Sequence, residues 1–164
     1  MAARSGDARQ VRTLRMRRID HIGDTLFRGL ARLGIGPAWS LTTRGRRTGR
    51  LRTVPVIPVH SGGRQWLVSP YGKVGWVLNA RAAGQVQLRR GRSTRICQVR
   101  EVAPAEAGPV LKRYLRIASA TRPYFTASVD APVAAFVAEA HRHPVFALTP
   151  IEQRTRQASK GGGC

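Results

Sequence analysis

At 164 residues, 42% of them apolar, the chain has the size and composition of one folded domain, and it contains no apolar run long enough to cross a membrane. Two cysteines are too few for a disulfide framework, and the N-terminal residues lack the apolar core of a secretory signal. We therefore expect a cytoplasmic protein, or alternatively one held peripherally at the inner membrane face. A net charge of +21 disfavours the compact state through self-repulsion unless an anion is nearby, so we expect an anionic partner, whether nucleic acid, an anionic membrane surface or an anionic small molecule. Arginine-rich codon usage is the alternative source of part of the charge.

The first predicted element is an amphipathic helix within residues 8–33. Its apolar side chains recur at the spacing of one helical face: Ile19, Ile22, Leu26, Leu30 and Leu33. Arginines surround this face, so the helix either packs across the domain or lies on anionic lipid. We expect three segments in the chain: a basic extension or helix start at 1–18, one domain at 19–149, and a flexible tail at 150–164.

Short β segments are predicted from residue 39 onward, at 39–43, 53–60, 65–69, 86–89, 95–102 and 145–148. The second segment holds Pro55 and Pro58, which cannot donate to a ladder and therefore mark an edge or a bulge of the sheet. Because the strands arrive as successive hairpins, we expect a mostly antiparallel sheet in an α+β domain built on a small barrel.

Three helical segments are predicted between and after these strands. Residues 73–82 carry apolar side chains at helical intervals, and so does the stretch that starts at Pro104. Pro109 interrupts the second segment, so we expect its first turn to be separate. Asp130 is the expected N-cap of the third segment, whose apolar face includes Phe136.

The loop after the first strand, residues 44–52, is the best candidate site. No acidic residue lies between Asp24 and Glu101, whereas that stretch holds fifteen Arg or Lys residues. The loop combines guanidinium groups, a flexible backbone and a hydroxyl: Arg44, Gly45, Arg46, Arg47, Thr48, Gly49, Arg50 and Arg52. This combination suits phosphate and carboxylate recognition, and a solvated basic hairpin is the alternative interpretation.

A second candidate region, residues 69–79, follows the next hairpin. Ser69 ends a strand and can present its hydroxyl and its amide to a ligand. Tyr71 and Trp76 offer flat faces for a ring system, although core packing is the alternative for Trp76.

Known catalytic motifs are missing from the sequence. It has no metal-ligand motif and no hydrolase elbow, and the central region offers no acidic partner for a histidine. A structural or solvated role is therefore favoured for His21, His60, His141 and His143. We expect no metal site, and any reaction would be carried by a bound cofactor.

Together the two candidate regions resemble the deazaflavin-dependent nitroreductase family, small split β-barrel oxidoreductases that use coenzyme F420. The resemblance is carried by 41–50 (Leu-Thr-Thr-Arg-Gly-Arg-Arg-Thr-Gly-Arg), 52–55, 69–72, 76–81 and 143–146, in this order, and it spans 19–149. It implies a split β-barrel of about six mostly antiparallel strands, with an N-terminal helix and two to three further helices packed on it.

The resemblance also implies a pose for the coenzyme. Its phosphate and oligoglutamate tail would lie along the basic loop, at Arg46, Arg47, Thr48, Gly49 and Arg52. Its deazaisoalloxazine ring would lie near Pro55, Ser69, Tyr71, Gly72 and Trp76, with Asn79 close by. Family members pass a hydride from the reduced deazaflavin to activated double bonds, quinones or nitro groups, so a small hydrophobic or electron-poor substrate is expected. The proton on the substrate side would come from solvent or from Tyr124, and buried packing is the alternative role for this tyrosine.

Several alternatives stay open from the sequence. FMN is the alternative cofactor, and a non-enzymatic binder of an anionic cofactor, lipid or nucleic acid is the alternative class. Nucleic acid is disfavoured because its motifs are missing and the aromatic residues are too few for a stacking platform. The N-terminal basic helix is the expected contact with a membrane surface, and the protein is expected to be a monomer or a homodimer.

Overall fold

The computed structural model describes residues 38–151, so the predicted N-terminal helix, the 1–18 extension and most of the C-terminal tail lie outside it. Its strands are β1 (Trp39–Arg44), β2 (Leu51–Val56), β3 (Val59–Ser61), β4 (Arg64–Val68), β5 (Gln85–Arg90), β6 (Ser93–Glu101) and β7 (Val145–Pro150). Its helices are α1 (Gly75–Ala83), α2 (Pro104–Ile117) and α3 (Val133–Glu139), with 3₁₀ helices at Ser119–Tyr124 and Ala140–Arg142.

The seven strands form one sheet in the order β2-β1-β5-β6-β7-β4-β3, and every neighbouring pair is antiparallel. β2 and β3 lie at opposite edges of this sheet, yet only Ile57 and Pro58 join them. Three residue steps span at most about 11 Å, whereas the edges of a flat seven-stranded sheet would be about 29 Å apart. The sheet must therefore curl until its two edges approach each other, as in a split barrel.

The strand order explains the two prolines predicted to mark an edge or a bulge. Pro55 lies in β2 at one edge, where its missing N–H group faces no neighbouring strand, and this prediction is confirmed. Pro58 lies between β2 and β3, so the single strand predicted at 53–60 is wrong: the chain changes edges there. This division raises the strand number from the expected six to seven.

Two helix details also differ from expectation. α2 runs without a break from Pro104 to Ile117 although Pro109 lies inside it, so its first turn is not separate. Pro109 loses one helical hydrogen bond, but the buried face of α2 holds the helix together. The N-cap of α3 is Pro132 and not Asp130, and no side chain caps this helix.

Helices cover both faces of the closing strand β7. Val145 and Ala147 pack in a cluster with α2 and α3, whereas Phe146 and Leu148 pack on the other face in a cluster with α1. Because both faces are buried there, the first four residues of β7 form a continuous apolar run. Within residues 38–151, no helix combines the length and the apolar character that crossing a membrane requires.

Candidate functional site

The β1–β2 loop (residues 45–50) closes on itself through two backbone hydrogen bonds. The Gly45 amide donates to the Arg50 carbonyl and the Gly49 amide donates to the Gly45 carbonyl, each over 2.8 Å. Gly49 has a φ of 67°, in the left-handed region that strains a residue carrying a Cβ. The resulting turn exposes most of the predicted anion-binding side chains: Arg44, Arg46, Arg47, Thr48, Arg50 and Arg52.

Asn79 of α1 fixes this loop to the body of the protein. Its side-chain amide donates to Thr43 Oγ1 at the end of β1, and its Oδ1 accepts the backbone N–H of Arg46, both over 3.2 Å. Asn79 and Thr43 are buried. In the structure the polar atoms of Asn79 contact the start of the basic loop, and its expected place close to the coenzyme ring stays a prediction. Thr43 was not singled out from the sequence, since a threonine in a strand gives no local signal of such a role.

We expect Asn79→Ala to lower the free energy of unfolding by about 1–2 kcal/mol, because it removes both hydrogen bonds and leaves Thr43 Oγ1 and the Arg46 amide without their partner. Urea denaturation measures this change. Thr43→Val is the matched comparison, since it removes only one of the two bonds and keeps the side-chain shape. An equal loss in both variants would show that the bond to Arg46 contributes nothing.

Among residues 38–151, no carboxylate pairs with the arginines of the loop. The arginine–carboxylate pairs in that part of the chain are Arg81 with Glu101, through two contacts of 2.6 Å, and Arg100 with Glu106 at 2.9 Å. The loop guanidiniums therefore project into solvent from a fixed backbone. That donor set fits phosphate and carboxylate oxygens, which planar guanidiniums bind in pairs of parallel hydrogen bonds.

The turn at residues 69–72 is held from within. Ser69 is fully buried; its hydroxyl donates to the Gly72 carbonyl over 2.6 Å, and its amide donates to the Pro144 carbonyl over 2.9 Å. Both groups that were expected to face a ligand thus shape the turn in this structure. Gly72 has a φ of 80°, a backbone conformation that favours glycine. A Cβ there would also lie only 3.3 Å from the Arg142 carbonyl oxygen, so the available space favours glycine as well.

This turn presents Tyr71 to solvent and to Tyr124. Tyr71 is 58% exposed, and its ring meets that of Tyr124 edge to face, with centroids 4.6 Å apart. Tyr124 is half-buried at the end of the 3₁₀ helix Ser119–Tyr124. The structure therefore brings together two sequence-predicted residues that lie far apart in the chain.

Trp76 and Pro55 lie on different faces of the sheet. Trp76 is half-buried on α1, with its ring centroid 5.7 Å from that of Phe146, and it packs against the same cluster as Val54. Because side chains alternate along a strand, Pro55 points to the opposite face of β2 from Val54. The two side chains therefore lie apart, and their contact with the coenzyme ring stays a prediction.

Sequence reasoning missed a buried pair beside the tyrosines, Glu139 and His143. Nδ1 of His143 lies 3.0 Å from the Pro70 carbonyl, and Nε2 lies 3.8 Å from Oε2 of Glu139. The four-residue spacing of these two side chains was the available signal. That spacing alone is common along helix surfaces, so it does not predict a buried pair.

A curled antiparallel sheet with an exposed guanidinium loop at one end of β1 and a tyrosine-bearing turn defines a split-barrel protein suited to a phosphorylated cofactor. The family model of the F420H(2)-dependent quinone reductases matches residues 8–140. The chain belongs to this family, and it is an F420H2-dependent oxidoreductase whose cofactor is coenzyme F420. The expected deazaflavin family, enzyme class and coenzyme are thereby confirmed.

Solved structures with a similar chain path include an F420-H2 dependent reductase, FDR-A. It is 19% identical over 69% of this chain and 94% of that chain, with a TM-score of 0.47. Another is Atu2129 of unknown function from Agrobacterium tumefaciens str. C58, 12% identical over 77% of this chain and 54% of that chain, with a TM-score of 0.53. The likeness to Atu2129 concerns the fold alone. No curated protein sequence matches the chain.

Proposed function

We propose that the enzyme reduces a quinone or another small, electron-poor acceptor, with the coenzyme tail held by the β1–β2 loop and the ring beside the 69–72 turn. The observation that carries this proposal is the loop itself. Its arginines project from a backbone locked by Asn79, and no carboxylate among residues 38–151 neutralises them. When bound, the reduced coenzyme supplies the hydride.

The phosphate and the oligoglutamate tail of the coenzyme match this loop in charge and in hydrogen bonding. Arg46, Arg47 and Arg52 would bind their oxygens through forked guanidinium groups, and Thr48 would add a hydroxyl donor. Gly49 would let the backbone approach, since no atom lies within 4 Å of where its Cβ would be. Asn79 would act indirectly, by fixing the loop before the coenzyme arrives.

The ring end, which we define as the 69–72 turn together with Tyr124, would take the flat part of the coenzyme and the acceptor. Tyr71 offers an exposed aromatic face there, while Ser69 and Gly72 hold it in place. Pro55 and Trp76 stay predicted ring neighbours. Flanking aromatic side chains would orient the acceptor over the ring and exclude water from the hydride step.

Titration of the purified protein with oxidised coenzyme F420, followed by ring fluorescence, tests the proposal. We expect micromolar binding that excess FMN or single-stranded RNA does not compete away. Binding of FMN alone would contradict the deazaflavin pose, and displacement by RNA would favour a nucleic-acid surface on the same loop.

Tyr124→Phe is expected to lower kcat for a quinone acceptor by about tenfold or more, because a positioned proton donor contributes about 10²–10⁴-fold and solvent replaces part of it. The phenyl ring preserves the edge-to-face contact with Tyr71, so the Kd of the coenzyme is expected to change little. Stopped-flow oxidation of the reduced coenzyme measures the rate. An unchanged kcat would leave Tyr124 as a packing residue.

Other parts of the assignment stay predictions. They are the domain bounds 19–149, a cytoplasmic location, contact of the N-terminal basic helix with a membrane surface, and a monomeric or homodimeric state.

A further inference from the structure

The imidazole of His143 is buried between the two loops that carry the tyrosines. The side chain is about 3% exposed, and Nδ1 lies 3.0 Å from the carbonyl of Pro70, in the turn that carries Tyr71. A carbonyl oxygen only accepts, so Nδ1 must carry a proton. The ring also stacks on Phe125, which follows Tyr124, with centroids 4.0 Å apart and an angle of 18° between the planes.

The second nitrogen of the imidazole has no hydrogen-bond partner among residues 38–151, although it is buried. Its nearest acid is Glu139, whose Oε2 lies 3.8 Å away. This carboxylate is already engaged: Oε2 accepts the amide of Thr126 over 2.8 Å and Oε1 accepts that of Ala127 over 3.1 Å. A neutral His143 therefore directs a lone pair towards a carboxylate that holds the segment after Tyr124.

We infer that His143 is a positioning residue of the ring end: through Pro70 and Phe125 it holds the two tyrosine-bearing loops against each other. This inference rests on the function proposed above, because it gives the tyrosine pair a reason to be held in register. One side chain touches both loops, and its acidic neighbour Glu139 anchors the second loop by two amides. Loss of the contact to Pro70 would leave Tyr71 on a turn that is tied less firmly to Tyr124.

The protonation state of His143 gives this role a pH signature. The charged and titratable groups around the ring are Glu139 at the end of α3, His141 and Arg142 on the 3₁₀ helix, Tyr71 beyond Pro70, and Tyr114 and Tyr124 on the elements flanking Phe125. Burial lowers the pKa of His143 from its ordinary 6.5; the hydrogen bond to Pro70 and the charge of Glu139 oppose this shift, and Arg142 and His141 add to it.

The lowered pKa of His143 determines how the stability of the fold depends on pH. The unfolded chain takes up this proton at higher pH than the folded one, so stability is lost as pH falls below about 6.5 towards the folded pKa. Protonation also adds a positive charge in a site where burial disfavours it, so hydration of that charge favours opening of the packing around the ring. Acid should therefore loosen the loop that follows Tyr124.

Two substitutions separate hydrogen bonding from packing. His143→Asn places an amide N–H where Nδ1 lies, so it keeps the donor to Pro70 but does not titrate. His143→Phe keeps a flat ring against Phe125 and loses the donor. Each variant is compared with the wild type by the hydrogen exchange of the Thr126 and Ala127 amides in the free enzyme, and by kcat and coenzyme Kd.

Near pH 7.5 we expect His143→Phe to speed exchange at both amides and to lower kcat, each by about tenfold, since small misplacements of reacting groups have large effects on rate. Coenzyme Kd should change less than about threefold, because the tail is held elsewhere. His143→Asn keeps the donor to Pro70 but loses the stacking on Phe125, so at this pH it should be impaired less than His143→Phe. Below about pH 6.5 the wild type should lose rate and amide protection, and His143→Asn should not.

Equal impairment of the two variants, or wild-type behaviour of both, would overturn the inference. If His143→Phe does not fold, His143→Asn still tests the inference. An acid-induced loss of rate and amide protection in His143→Asn equal to that of the wild type would also overturn the inference. A failure of the proposed function would give a different experimental result. In that case the wild type does not bind oxidised F420, while the exchange of the two amides still reports on His143.

Discussion

Replacing both Arg46 and Arg47 by alanine is expected to weaken the binding of oxidised coenzyme F420 by about 100-fold, or roughly 2.7 kcal/mol. Hydrogen bonds to charged groups contribute about 1.5–3 kcal/mol each, and the exposure of these side chains places them at the low end. The effect should shrink at high salt, because exposed charges are screened. Fluorescence titration at two fixed ionic strengths measures both quantities.

The matched control removes two arginines from the other arginine-rich hairpin. Arg89 and Arg92 lie at the β5–β6 turn. In the sheet Arg89 lies opposite Ser40, which is near the start of β1 and about 13 Å along that strand from Arg44. This double variant loses the same charge as the first and should bind the coenzyme within about threefold of the wild type. Equal losses in both would mean that overall charge, not the β1–β2 loop, attracts the coenzyme.

Residue types and their local spacing predict much of the fold. Alternating side chains and glycine turns indicate the hairpins, and the missing N–H of Pro55 predicts an edge or a bulge. The break at Pro58 was not predictable in the same way. Whether the chain continues a strand or changes edges there depends on the curl of the whole sheet, which a window of a few residues does not contain.

The same contrast between local patterns and long-range contacts applies to the candidate site. The guanidinium loop is contiguous, so composition alone predicts an anion site there. Asn79 contacts Thr43 from 36 residues away, and His143 contacts Pro70 from 73 residues away. Such contacts form only when the sheet brings distant segments together. Many of them are hydrogen bonds to backbone atoms, and the position of a backbone atom cannot be read from residue types. Ser69 shows the converse: its hydroxyl was expected to face a ligand but is used inside its own turn.

Packing between α2 and α3 determines where Glu139 lies, and Gly108 allows that packing. A Cβ at Gly108 would lie 2.5 Å from Cγ2 of Val137 and 3.3 Å from Cγ1 of Val133. In an isolated helix, alanine would be more stable than glycine by about 1 kcal/mol. Here the contact with α3 opposes that preference, because no Cβ is normally found so close to another carbon.

Gly108→Val is expected to lower the free energy of unfolding by about 3 kcal/mol or more, and Gly108→Ala by about 1–2 kcal/mol, since added methyl groups force α3 away from α2. Urea denaturation measures both. Adding Val137→Ala to Gly108→Ala removes the colliding methyls, so the double variant should be more stable than the two single losses added together. A more stable Gly108→Ala would show that helix propensity outweighs this contact. Because α3 ends at Glu139, displacement of the helix should also speed amide exchange at Thr126 and Ala127, linking a glycine in the core to the tyrosine pair.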